Sequence, residues 1–229
     1  MNLGDLRAAL RMMLTDVAPP YRWDDLTLNR YLNNAVREAC IRARLLKDDA
    51  DSQPGLCSLA VVTGVPIMRF DPSILVIRSG ALPGITFPKL WAVTADSLDK
   101  LEPCWDSSVN NGAFSPRFMV MDLSQKSFRL YPTPTADGTL RLRVWRMPMI
   151  SELMRDDTDT PVIQLPDPEE LCHWAASEAF MQPDAELIST QLAALNLAQF
   201  EQRFGARPSL HEMARWADSP PRVRFAHMF

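Results

Sequence analysis

The chain has 229 residues, 47% of them hydrophobic and 23% charged, with a formal net charge of −4. That length can bury the core of one large domain or two small ones, and the acidic balance excludes an overall basic, nucleic-acid-gripping protein while leaving room for a local patch. No stretch approaches the ~18 apolar residues of a membrane span, and Met1-Asn2-Leu3-Gly4-Asp5 lacks the basic start of a signal peptide, so a cytosolic birthplace and no membrane partner are expected.

The first predicted helix covers roughly 3–16, where Leu3, Leu6, Leu10, Met13, Leu14 and Val17 fall on one stripe. Ala18-Pro19-Pro20 ends it. Asp24 then reads as an N-cap, with Trp23 placed to staple onto Leu28. The second helix runs to about Leu46 on an apolar face of Leu28, Leu32, Ala35, Val36, Ala39, Cys40 and Ala43. Small residues on that face allow a second helix to approach closely. The acid-rich run Lys47-Asp48-Asp49-Ala50-Asp51 is expected to lead out to solvent.

The middle of the chain reads as strands at 58–62, 67–70, 74–79, 90–93, 117–122, 128–131 and 139–146. In the last, Leu140, Leu142 and Val144 alternate with Arg141, Arg143 and Trp145. Asp137-Gly138 before it is a hairpin-turn signal, and Thr94 reads as the cap of a short helix over 95–101. Nineteen prolines against eight glycines imply fixed, extended joints rather than flexible loops.

Helix returns at Leu165-Pro166-Asp167-Pro168-Glu169-Glu170-Leu171, with Asp167 as N-cap, Pro168 at the first helical position and Glu170 completing a capping box. This helix carries Leu171, Trp174, Ala175 and Ala179 and is interrupted at Pro183. A further helix runs to Phe204, with Leu187, Ile188, Leu192, Leu195 and Phe204 as core candidates and Gly205 as its stop. Ser209 and Glu212 suggest a short helix near 210–217. The last stretch, from Ser219-Pro220-Pro221 onward, reads as extended.

The expected fold class is therefore α+β. A helical bundle of N- and C-terminal helices (1–50 and 163–218) carries an inserted antiparallel β lobe (51–162) and an extended C-terminal arm (219–229).

Catalytic chemistry finds little support. Asp156, Asp157 and Asp159 resemble a metal loop but lack the glycine and distal glutamate of an EF-hand, so a solvated linker is expected. Cys40, Cys57, Cys104 and Cys172 form no CxxC pair, and Cys40 and Cys172 read as buried reduced thiols. Cys172 and His173 are adjacent on a helix and point about 100° apart, so they are no nucleophile–base pair; His173 reads as a partly buried structural residue. His211 and His227 have no zinc spacing, and no phosphate-binding glycine loop, GxSxG or HExxH occurs. No catalytic residue, metal or cofactor is assigned.

Two features point to partners instead. Arg141, Arg143 and Trp145 share one strand face, read as solvated or subunit-facing. The C-terminal Arg222, Val223, Arg224, Phe225, Met228 and Phe229 are aromatic and basic, which suits docking on a partner better than fraying in water. Eleven extended residues from Ser219 span up to about 35 Å.

The ordered landmarks resemble a known family. A short leading helix is followed by Tyr21-Arg22-Trp23-Asp24-Asp25 and by the Leu32-Asn33-Asn34-Ala35-Val36-Arg37-Glu38-Ala39 helix. Then come Leu130-Tyr131-Pro132-Thr133-Pro134, Asp137-Gly138, the Leu140-Arg141-Leu142-Arg143-Val144 strand, and Leu165-Pro166-Asp167 leading to Trp174-Ala175. Over about 3–204 this looks like the head-to-tail adaptor (connector) proteins of tailed bacteriophages. The resemblance implies a structural virion protein, not an enzyme, made in the host bacterial cytoplasm. Its expected partners are itself in a ring with the portal's twelvefold symmetry, the portal protein, and tail or nozzle proteins, with DNA passing through the channel without specific binding. The alternatives are a nucleic-acid-binding or DNA-packaging accessory protein, using Arg141, Arg143, Trp145, Arg222 and Arg224, and a cryptic metal enzyme using Asp156, Asp157 and Asp159.

Overall fold

A computed structural model describes residues 1–84, 89–106, 115–124, 126–182, 189–209 and 212–213. The chain divides into two compact units. One joins Met1–Leu46 to Met147–Pro208; the other contains Lys47–Arg146.

The first unit is helical. Its elements are α1 (Leu3–Met13), α2 (Asp25–Ala43), α5 (Glu170–Phe180) and α6 (Thr190–Phe204). Asn2 and Asp5 form a reciprocal capping box on α1, and Asp24 caps α2 by accepting from the Thr27 N–H at 2.5 Å. Leu3, Leu6, Leu10, Leu28, Leu32, Ala35, Ala39, Leu171, Cys172, Ala175, Ala176 and Ala179 lie in one buried core. α5 sits at its centre, packed on α1, α2 and α6. Ala35 and Ala39 of α2 and Ala175, Ala176 and Ala179 of α5 are fully buried, so the two backbones approach closely, as their small-residue stripes imply.

Several details differ from the sequence reading. Leu192 and Leu195 of α6, read as core candidates, are exposed, whereas Phe200 and Phe204 are buried. Val17 and Ala43 are exposed, because α1 stops at Met13 and α2 ends on Arg44 in the left-handed region, at φ 52°. The regular part of α5 starts at Glu170, but Asp167 still accepts from the Glu169 N–H at 3.2 Å. Glu170 turns to Arg203 at 2.5 Å instead of closing a capping box.

The 154–159 segment is exposed over 155–158, as a solvated linker should be, but it also has a structural role. It straps α1 and α2. Asn33 exchanges two hydrogen bonds with the Met154 backbone, both at 2.9 Å. The carbonyls of Asp159 and Asp157 accept from the Leu3 and Gly4 N–H groups at 2.7 and 3.0 Å, satisfying donors that a helix N-terminus leaves unpaired.

The second unit is built on a sheet. Its elements are β1 (Leu46–Asp49), α3 (Pro54–Cys57), β2 (Ser58–Val61), β3 (Ile67–Arg69), β4 (Ile74–Ala81), β5 (Lys89–Val93), α4 (Ala95–Leu101), β6 (Phe118–Ser124), β7 (Ser127–Tyr131) and β8 (Gly138–Arg146). The strand order is β1-β8-β4-β5-β6-β7-β3, with β2 also on β8. β5 and β6 are parallel, joined by a connection that contains α4, and the other described pairings are antiparallel. Register shifts between β4 and β8 mark irregularities that bend a sheet. Gly80 on β4 is needed where the sheet face is tightest: a Cβ there would stand 2.8 Å from Met119 Sδ and 3.1 Å from Leu140 Cδ1.

This corrects the expected fold class. The protein is not a helical bundle with a small antiparallel lobe; it is mixed α+β, with a curled eight-stranded sheet and six helices among the described residues. The seven strands read from the sequence are present, but the acidic run at 47–51 contributes an eighth, β1. Asp137-Gly138 is not a hairpin turn, since β7 and β8 do not pair; Asp137 instead accepts from the Thr63 N–H and hydroxyl at 2.7 and 2.8 Å.

Candidate interaction surface

β8 presents Leu140, Leu142 and Val144 to the core of the sheet unit, and Arg141, Arg143 and Trp145 to its other face. β1 lies beside β8, and Asp48 and Asp49 on it, with Asp51 just after it, approach arginines of that strand. Asp51 pairs with Arg141. Asp48 pairs with the buried Arg146 at 2.5 Å. Asp49 accepts from the Ser52 and Asp51 N–H groups, which hold its carboxyl below the usual range, and the Arg143 charge adds to that pull. The acidic run therefore neutralises β8 rather than trailing into water.

Cations on the neighbouring strands remain in excess. Arg78 of β4 stacks over the Trp145 ring at 4.5 Å, and Lys89 of β5 over the Trp91 ring at 4.2 Å. With Lys47 and Arg143 they line a groove of about 760 Å³. A second hollow of about 430 Å³ shares Asp49, Lys89 and Arg143 with it. Among the described residues, Lys47, Arg78 and Lys89 have no ion-pair partner.

Sequence reasoning found Arg141, Arg143 and Trp145 but missed Lys47, Arg78, Lys89 and Trp91. In sequence, Trp91, Trp105, Trp145 and Trp174 fall on separate elements. Strand order brings Trp91 and Trp145 onto this groove, whereas Trp105 donates to Asp99 at 2.7 Å beside α4 and Trp174 belongs to the helical unit. Alternation marks which residues share a face of one strand; which strands lie side by side is set by pairing, and alternation carries no signal for it.

The other candidates resolve into structural roles. His173 Nδ1 lies 3.0 Å from Asn196 Oδ1, as its partly buried, satisfied reading requires. Cys40, Cys57 and Cys172 are buried and Cys104 exposed, all as free thiols. Burial pushes Cys172 up to about 12; burial and then the nearby Asp48 and Asp49 push Cys57 up to about 11. Asp157 pairs with Arg7 at 2.9 Å, and Asp159 Oδ2 accepts from the Arg155 and Asp156 N–H groups at 2.7 and 2.9 Å. Ser209 and Glu212 exchange hydrogen bonds at 2.8 and 3.2 Å, the capping box read from the sequence. The arm residues Arg222, Val223, Arg224, Phe225, Met228 and Phe229 lie outside the described residues, as do Leu187 and Ile188.

The family model for the SU10 adaptor protein matches residues 1–224. The chain belongs to the SU10 adaptor protein family. The head-to-tail adaptor resemblance in the sequence is thereby shown over nearly the whole chain, including the arm up to Arg224. An SU10 adaptor protein is a structural component of a bacteriophage virion, acting between head and tail. No curated protein matches the chain.

Proposed function

We propose that this SU10 adaptor forms a homo-oligomeric ring beneath the portal, extends the DNA channel and docks the tail. The family assignment carries this reading. A closed ring needs two different surfaces on each subunit, related by a rotation that closes. A helical unit and a sheet unit of unlike charge supply surfaces of that kind. Over Met1–Leu46 and Met147–Pro208 the sequence has ten arginines against sixteen carboxylates, whereas Lys47–Arg146 has eleven lysines and arginines against ten carboxylates. Ring copy number follows the portal's twelvefold symmetry in this reading. DNA passes without specific binding, because an acidic wall gains little from counterion release.

The arm from Ser219 to Phe229 docks on a neighbour or on the portal through Val223, Phe225, Met228 and Phe229, with Arg222 and Arg224 steering the encounter. The helical and β-rich regions act as separate bodies, and no hydrolase, nuclease or transferase turnover is expected. The test mixes the purified chain, full length and lacking 219–229, with its portal and images the complexes. Full-length chain should form a ring on the portal and the truncated chain should fold but be recruited poorly. A full-length chain that never joins the portal refutes the ring reading. Truncated chain that joins as well as full length refutes the arm.

A further inference from the structure

The groove over β8, β4 and β5 has a chemistry that selects its occupant. Its four cations, Lys47, Arg78, Lys89 and Arg143, outnumber the two carboxylates that line it, Asp48 and Asp49; Asp48 is paired with Arg146 and Asp49 stands near Arg143, so the charge left to recruit a partner is chiefly that of Lys47, Arg78 and Lys89. That excess calls for an anion. A nucleic acid suits the site poorly for two reasons. A duplex backbone brings phosphates at close spacing, and the carboxylates of Asp48 and Asp49 line the same groove. Base stacking needs open ring faces, and the Trp145 and Trp91 rings already carry Arg78 and Lys89. An acidic polypeptide can place carboxylates on the cations, donors toward Asp49, and apolar groups along the indole edges.

The chain itself contains such a polypeptide. Residues 164–169, Gln164-Leu165-Pro166-Asp167-Pro168-Glu169, precede α5 without helix or strand, and Pro166, Asp167 and Glu169 are exposed. Two prolines fix this segment in advance, so little ordering entropy is lost on binding, and prolines commonly seat on aromatic-lined grooves. The basic C-terminal arm is the wrong sign for the site.

We propose that this groove receives the 164–169 segment of a second copy of the chain, with Arg78 and Lys89 facing Asp167 and Glu169. The proposal rests on the ring reading and names one surface by which its subunits meet.

The experiment is sedimentation velocity of the full chain over a concentration series at low salt. Variants are Arg78→Glu with Lys89→Glu, the milder Arg78→Gln with Lys89→Gln, Lys89→Glu alone, Glu169→Lys alone, and Lys89→Glu combined with Glu169→Lys. Thermal midpoints report whether each variant folds, and the Gln pair covers failure of the Glu pair. Each groove or segment variant should weaken self-association at least ~10-fold, and the charge-swapped combination should recover part of that loss. Wild type that stays monomeric throughout, variants that associate like wild type, or a swap no better than its single changes would overturn the contact. Retention of wild type on duplex DNA, lost in the groove variants, would assign the groove to nucleic acid instead. A portal-bound ring that tolerates every variant leaves the ring reading standing and removes this contact; a wild-type chain never recruited to the portal removes the ring reading itself.

Discussion

Replacing Asp16 with alanine should destabilise the helical unit by about 3 kcal/mol. Asp16 follows α1, and its side chain is 6% exposed. One oxygen meets Arg11 NH1 at 2.5 Å, and Arg11 is itself 10% exposed. That oxygen, Oδ2, also accepts a weaker bond from the Trp23 N–H at 3.4 Å, and Oδ1 accepts from the Arg22 N–H at 2.9 Å. Alanine leaves a buried guanidinium nitrogen and two backbone donors without an acceptor. Breaking a buried ion pair by removing one partner costs about 3–5 kcal/mol. The lower end applies because Arg11 NH2 keeps the Trp23 carbonyl at 3.0 Å and Asp25 at 2.7 Å. Asp16→Asn retains one acceptor and should cost about 1–2 kcal/mol. Asp51→Ala breaks a pair whose members are 82% and 43% exposed, and should cost less than about 1 kcal/mol. Urea unfolding followed by helical circular dichroism measures all three. For a chain of this size the Asp16→Ala loss corresponds to a thermal midpoint lower by roughly 6–12 °C. A loss below about 1 kcal/mol, or one no larger than that of Asp51→Ala, would refute the claim that this network holds α1 to α2.

Three further outcomes are expected. Ala39→Trp should overpack the α2–α5 contact, where Ala39 is fully buried, and lower the urea midpoint by the equivalent of about 1–3 kcal/mol; an unchanged midpoint would count against that contact. Glu178 is half-buried, accepts from Trp174 Nε1 and Asn34 Nδ2, each at 3.1 Å, and burial raises its pKa above the ordinary value. A raised folded-state pKa means its favourable contribution is complete below the unfolded value and lost as pH rises through the folded one, so Glu178→Gln should be at least as stable as wild type at neutral pH, with the advantage vanishing near pH 4. Urea midpoints at the two pH values check this, and a Gln variant weaker at neutral pH would contradict it. Ellman's reagent near pH 8 should modify Cys104 quickly and reach Cys40, Cys57 and Cys172 only after denaturation; rapid native labelling of more than one thiol would disprove their burial.

The sequence carries local signals well and pairing poorly. The caps at Asp24 and Thr94 were legible because each is a three-residue hydrogen-bonding pattern, and both bonds are present. Seven strands were legible from alternation and proline punctuation. β1 was not, because four residues reading Leu-Lys-Asp-Asp resemble a solvated turn until arginines lie across from them. The strap at 154–159 escaped for the same reason: its backbone carbonyls hold α1, and carbonyls leave no trace in side-chain chemistry. The groove needed β4, β5 and β8 in register, which no single strand encodes.

The two halves of the helical unit are separated by the whole sheet unit in the order of synthesis. When α2 leaves the ribosome its alanine face has no partner, since α5 lies more than a hundred residues downstream. The sheet unit is also closed by its latest strand: β8 pairs with β1, β2 and β4. Folding during translation therefore cannot proceed from the N-terminus domain by domain, as it does in simple tandem chains. α1 and α2 must wait with an apolar stripe uncovered while the sheet is completed, and only then can α5 cover it. Conditions that slow elongation between Arg146 and Leu171 should lengthen that wait and favour aggregation of the nascent chain.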